Sequence, residues 1–252
     1  MKSGRAVRVM CGARRIVATL VLLVTPALAA EPLHDEQRRL LAGGLPQAAG
    51  LVLDIPEWVE DGAFVAVTLT LRGARPPLRL VLLREREGEP RIAEVELRAW
   101  HEPLRLSTRV RLPQSQVLQV LARDADGRTW DVRQQVRIAG SSCLSPPLAD
   151  PNDGLGQIQA WLRPLDGGRE LASLLRHPME TGQRRDTAGR LLPPHLLREF
   201  SVDGAQGELL RVRAFAGASA NPYWRVVLPA DTGELGLRWT DDDGTTFDRR
   251  LP

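Results

Sequence analysis

Beyond residue 30 the chain holds one cysteine, Cys143, and no lysine. A lone thiol excludes an internal disulfide framework and any zinc site built on paired cysteines. The four histidines, His34, His101, His177 and His195, share no ligand spacing, and no HxxxH or HExxH pattern occurs, so no metal is expected. There is no phosphate-cradling glycine loop and no G-x-S-x-G elbow, and neither a cofactor nor a catalytic residue is expected. A strong charge of one sign is missing as well. The whole chain carries 34 basic and 31 acidic residues, and five of the basic ones lie in the first thirty positions. What remains is about −2 with histidines neutral, so nucleic acid is not an expected partner. Arginine without lysine reads as compositional bias of a GC-rich genome.

Residues 1–30 read as an export signal. Lys2, Arg5, Arg8, Arg14 and Arg15 form a positive start, Ile16 to Val24 an apolar core, and Ala27-Leu28-Ala29 a small-residue cleavage site. The core is too short to span a bilayer, and no later run is long enough. A periplasmic protein without membrane insertion is expected. Cys11 precedes the apolar core and is misplaced for a lipid anchor.

A short helix is expected over Glu36 to Leu41, stopped by Gly43-Gly44. The pattern then turns to period two. Val65, Val67, Leu69 and Leu71 alternate with smaller or polar residues, and Leu78, Leu80 and Leu82 repeat the alternation, as do Leu104 to Leu112. Val117 to Ala122 and Trp130 to Ile138 form a hairpin around Asp126-Gly127. From Ser141 to Gly156 the chain is small, polar and proline-rich, which reads as a linker. Strand-like runs resume at Ile158 and continue to Phe247. The predicted fold is all-β: two immunoglobulin-like antiparallel sandwiches, over 31–140 and 157–252, joined by a linker at 141–156. The six tryptophans are expected as core fillers.

Cys143 lies in that linker. Ser141, Ser142 and Ser145 would each need a buried partner if the thiol were a core residue, so accessibility is the expected state. The competing reading is a buried thiol acting as a small hydrophobe. Asp241-Asp242-Asp243-Gly244 reads as a tight turn, since the rest of a calcium loop is missing. His177 and His195 flank a loop-like stretch and read as structural or surface residues.

Other runs carry a family likeness. His177-Pro178-Met179-Glu180-Thr181-Gly182-Gln183-Arg184-Arg185-Asp186, Ser219-Ala220-Asn221-Pro222-Tyr223 and Trp239-Thr240-Asp241-Asp242-Asp243-Gly244 resemble SoxZ. Leu106 to Leu112, Asp126 to Trp130 and the position of Cys143 resemble SoxY. The mature chain thus resembles a SoxYZ fusion, of the kind also met beside quinoprotein dehydrogenases. The resemblance implies a substrate carrier and not an enzyme, with Cys143 as the point of covalent attachment for thiosulfate-derived sulfur. It implies three periplasmic partners: a haem cytochrome, a hydrolase that releases sulfate and a dehydrogenase acting on sulfane sulfur. The family's cysteine sits between paired glycines on a terminal arm. Here only Gly140 remains of those four glycines, and the arm is joined at both ends. The alternative is a docking module for a periplasmic quinoprotein dehydrogenase or cytochrome. It follows from the same residues if Cys143 carries nothing.

Overall fold

The computed structural model describes residues 32–86, 88–139, 154–186 and 188–252. The expected leader and the segment holding Cys143 lie outside the described residues. The first half contributes α1 (Pro32–Leu41), β1 (Leu51–Asp54), β2 (Trp58–Val59), β3 (Val65–Leu71), β4 (Leu78–Arg84), β5 (Arg91–Leu97), β6 (Leu104–Val110), β7 (Gln116–Arg123) and β8 (Thr129–Ile138). The second half contributes β9 (Ile158–Leu165), β10 (Gly168–Leu175), β11 (Leu197–Gly204), β12 (Gly207–Ala214), β13 (Tyr223–Pro229), β14 (Leu235–Asp241) and β15 (Thr246–Leu251).

Period two decides which way each side chain points. In β3 the buried set is Val65, Val67, Leu69 and Leu71, with Ala66, Thr68 and Thr70 on the other face. β4 departs from simple alternation, because Val81 and Leu83 are buried along with Leu78, Leu80 and Leu82. The reason is α1, whose Leu40 packs on Val81, Leu83 and Leu121 and covers the outer face there. The helix ends where expected: Ala42 (φ 47°) and Gly43 (φ 76°) turn left-handed, and Gly44 N–H donates to the Leu41 carbonyl.

The strands form two sheets, of order β1-β3-β6-β13-β10-β9 and β15-β14-β11-β12-β5-β4-β7-β8-β2. Each half supplies strands to both, so each is an antiparallel two-layer sandwich, as the alternation predicted. The structure adds how the halves meet. They join edge to edge in both layers, β5 with β12 and β6 with β13. The pairs are Val95↔Val212 and Leu97↔Leu210 in one sheet, and Leu106↔Val226 and Thr108↔Trp224 in the other. The contact is therefore backbone ladder as well as apolar packing. One core runs beneath both halves, from Leu53 to Leu251. The tryptophans divide: Trp130, Trp224 and Trp239 are core residues, whereas Trp58 and Trp161 are 62% and 40% exposed. In β2 and β9 it is Val59 and Ile158, Ala160 and Leu162 that pack on the core, and alternation leaves Trp58 and Trp161 on the opposite face.

Candidate functional site

The SoxZ-like motifs come together at the seam between the halves. His177 follows β10 and is held against the loop before β13. Its N–H donates to Asn221 Oδ1 (3.1 Å), and the Asn221 N–H returns a bond to the His177 carbonyl (2.8 Å). Asn221 (φ 49°) and Met179 (φ 48°) both adopt left-handed backbone, the sharp bends this reciprocal contact requires. Met179 is fully buried, with its sulfur accepting from Leu197 N–H. The first half reaches across to the same loop: Arg111 Nη2 donates to the Met179 carbonyl (3.1 Å), and Arg111 N–H donates to the Gly217 carbonyl (2.7 Å).

Electrostatics set the character of this clasp. Burial lowers the Arg111 guanidinium's affinity for its proton; Glu180 partly offsets this, while Arg84 and Arg184 add to it. The Glu180 carboxylate is itself committed to Arg184 at 2.6 Å. Among the described residues three buried polar atoms of the clasp have no partner: Arg111 Nε, His177 Nε2 and Ser219 Oγ. Unpartnered buried polar atoms are costly, and three of them stand together here.

His177, His195 and Asp241 also converge, with donor atoms within 4.8 Å of one another. Sequence spacing gave no sign of this, because the two histidines stand at opposite ends of the long β10–β11 connection and Asp241 ends β14. His195 Nε2 lies 3.2 Å from Asp241 Oδ2, and the two imidazoles meet edge to face at 4.5 Å. The donor set suits a divalent ion, but the hydrogen bonds argue against one. His177 Nδ1 accepts from Met179 N–H (3.1 Å), which leaves the ring proton on Nε2 and removes that lone pair from coordination. His195 and Asp241 form a hydrogen-bonded pair, and His177 joins them by ring contact with His195. Burial, then the neighbouring His195, lowers the His177 pKa to about 4, so the ring is neutral at ordinary pH. Burial and the nearby Asp243 raise the Asp241 pKa. The Thr245 hydroxyl is the main reason the exposed Asp243 is lowered to about 2. Asp241 to Gly244 is the tight turn the sequence suggested, closed by Thr245 N–H to Asp241 Oδ1 and Asp243 Oδ1 with Gly244 at φ 89°.

Cys143 lies outside the described residues, but both of its roots are described. The first is Ala139, whose N–H bonds the Val59 carbonyl beside the parallel β2–β8 pair. The second is Gly154 to Gln157. Gly156 N–H donates to the Arg176 carbonyl and Arg176 N–H to the Gln157 carbonyl, so the chain rejoins the fold one residue before His177.

A family model for the sulfur oxidation protein SoxY matches residues 38–143, and one for the sulphur oxidation protein SoxZ matches residues 163–252. The chain is a fusion of SoxY and SoxZ domains, and so belongs to the carrier family of sulfur oxidation. Among solved structures it is similar to the sulfur carrier protein SoxY from Chlorobium limicola f thiosulfatophilum, at 22% identity and a TM-score of 0.36. That match covers 43% of this chain and 96% of the other. None of the curated proteins compared matches it. In SoxYZ terms the seam is the SoxY–SoxZ contact, where Arg111 of the SoxY domain bonds the Met179 carbonyl of the His177 motif beside the paired strands. Among the described residues no helix is long and apolar enough to cross a membrane.

Proposed function

We propose that this SoxYZ fusion is a periplasmic carrier that holds thiosulfate-derived sulfur on Cys143 while partner enzymes act on it. The observation that carries the reading is the SoxY match, whose last residue is Cys143 itself. The family resemblance expects the cargo thiol at that point. The division into a SoxY-like domain over 31–140, a cysteine-bearing linker over 141–156 and a SoxZ-like domain over 157–252 belongs to the same proposal, as does export directed by residues 1–30.

The chemistry asked of this chain is nucleophilic and not catalytic. The Cys143 thiolate is oxidatively coupled to the sulfane sulfur of thiosulfate: a sulfur–sulfur bond forms, the thiol proton is released, and a haem partner takes the two electrons. A hydrolase then adds water across the terminal sulfur–sulfur bond and releases sulfate, leaving a persulfide on Cys143 for a dehydrogenase. Four residues of chain reach at most about 14 Å, which tethers Cys143 to the neighbourhood of Ala139 and the β2–β8 edge. Partners would therefore come to that edge, where the exposed Trp58 offers an apolar contact.

Intact mass of protein taken from sulfur-oxidising cells tests this. We expect species heavier than the free thiol form that collapse on reduction, and none in Cys143→Ser. Readily alkylated thiol that never bears sulfur would favour the alternative, a docking module for a quinoprotein dehydrogenase or cytochrome. A thiol that resists iodoacetamide until denaturant is added would sink the carrier reading.

A further inference from the structure

On the outer face of the six-stranded sheet a groove of 540 Å³ crosses the seam. Its floor is built by both halves. Thr68 of β3 faces Ser107 of β6, and Ser107 faces Arg225 of β13. These three are linked in a line: Arg225 Nη2 donates to Ser107 Oγ (3.2 Å), which lies 3.0 Å from Thr68 Oγ1. The guanidinium of Arg225 is thereby oriented across the seam. Arg105 lies two residues from Ser107 on β6, with Thr70 opposite it on β3, and Arg72 follows the end of β3. Among the described residues neither Arg72 nor Arg105 has a side-chain hydrogen bond or ion pair.

Two carboxylates of the groove, Asp54 and Asp166, stand at its rims, and Glu170 stands on β10, beside the strand that carries Arg225. Asp54 is on the edge strand β1, and Asp166 is in the β9–β10 turn. Glu170 of β10 is engaged by Arg163. On the sheet Asp54 and Glu170 each stand two strands from Arg105, roughly 10 Å of lateral distance. Three guanidiniums over a hydroxyl floor, none of them in an ion pair among the described residues, with the one adjacent carboxylate, Glu170, already engaged by Arg163, suit a compact anion. Guanidinium forks match oxyanions bidentately, and the acidic rims disfavour an extended polyanion.

We infer that this groove is a non-covalent binding site for a small oxyanion of the sulfate and thiosulfate class, formed only when the two halves are joined. Naming thiosulfate as the physiological occupant rests on the carrier reading, whereas the anion site itself does not. The groove would then hold substrate on the body of the carrier, apart from the thiol.

Isothermal titration of the full mature chain in a Cys143→Ser background tests it, because covalent loading is then impossible. Sulfate and thiosulfate are titrated separately, with chloride at equal ionic strength as the control. We expect saturable one-site binding of at least one oxyanion, weakened roughly tenfold or more by Arg105→Gln and by Arg225→Gln. Arg105→Lys should recover only part of it, since a point charge cannot reproduce the fork. Arg105 is exposed, so its variants should fold, and circular dichroism checks this. Absence of saturable oxyanion binding, equal heat from chloride, or affinity indifferent to both glutamine variants would each overturn the inference. The mass measurement on Cys143 would stand whichever way the titration fell.

Discussion

His177 shows at the scale of one residue how burial turns into a pH dependence. The ring is 2% exposed, and its pKa falls from the usual 6.5 to about 4. Unfolding restores the higher value, so between pH 6.5 and 4 the unfolded chain binds more protons and stability drops as pH falls. The contribution is on the order of 3 kcal/mol, fully present above pH 6.5 and gone by pH 4. Asp241 works the other way, since its raised pKa makes protonation easier in the fold and partly offsets the loss. Asp243 acts in a lower window, between its ordinary 3.8 and about 2. Asparagine places Oδ1 near the position of Nδ1 and keeps an acceptor for Met179 N–H. His177→Asn should therefore flatten urea-derived stability between pH 7 and 4.5 while lowering it overall. An unchanged slope would mean that the ring titrates normally. Sequence could name His177, His195 and Asp241 but not their convergence. They stand 18 and 46 positions apart, and only the β10–β11 connection and the end of β14 bring them within reach.

Strands were the legible part of the chain, because a strand buried on one face writes its own period into the sequence. β3 and β6 carry that period plainly. β4 was only half legible: its Val81 and Leu83 look like solvent positions until α1 covers them, a tertiary fact with no local signal. Edge pairing is equally silent, since β5 and β12 read as ordinary strands. Their junction has one decisive charge. Glu94 of β5 is 6% exposed and faces Arg79 of β4 (3.5 Å), Arg91 (3.2 Å) and Arg213 of β12 (3.4 Å). One carboxylate thus ties three strands across the seam, and losing it leaves Arg79 and Arg213 without this partner, while Arg91 keeps Glu89. Glu94→Gln, nearly identical in shape, should cost about 2 kcal/mol in denaturant unfolding. Glu96→Gln, two residues along on the exposed side, should cost less than about 0.5 kcal/mol. Equal effects from the two would show that the seam does not depend on this charge.

For the whole molecule, the consequence of edge pairing in both layers is that neither half is complete alone. Separated, the SoxY half would expose β5 and β6 as open edges and the SoxZ half β12 and β13, together with the apolar residues of a core that runs beneath both. The covalent link contributes effective concentration and not the contact itself, so its role differs from that of the seam. The roots make the same point. β8 lies next to the edge strand β2 at one end of the nine-stranded sheet, and β9 lies beside β15 at the other, where Arg249 donates to the Ile158 carbonyl. A linker that joins opposite ends does not itself hold the central seam shut. Replacing residues 146–149 with a specific protease site and cutting the folded protein should leave two pieces that co-elute in size-exclusion chromatography. Calorimetry of the uncut chain should give one transition, with calorimetric and van't Hoff enthalpies equal. After cutting, the midpoint should become concentration-dependent, as for any two-part assembly. Pieces that separate at micromolar concentration, or two independent transitions in the intact chain, would mean that the seam is held by the linker and that the paired edges contribute little.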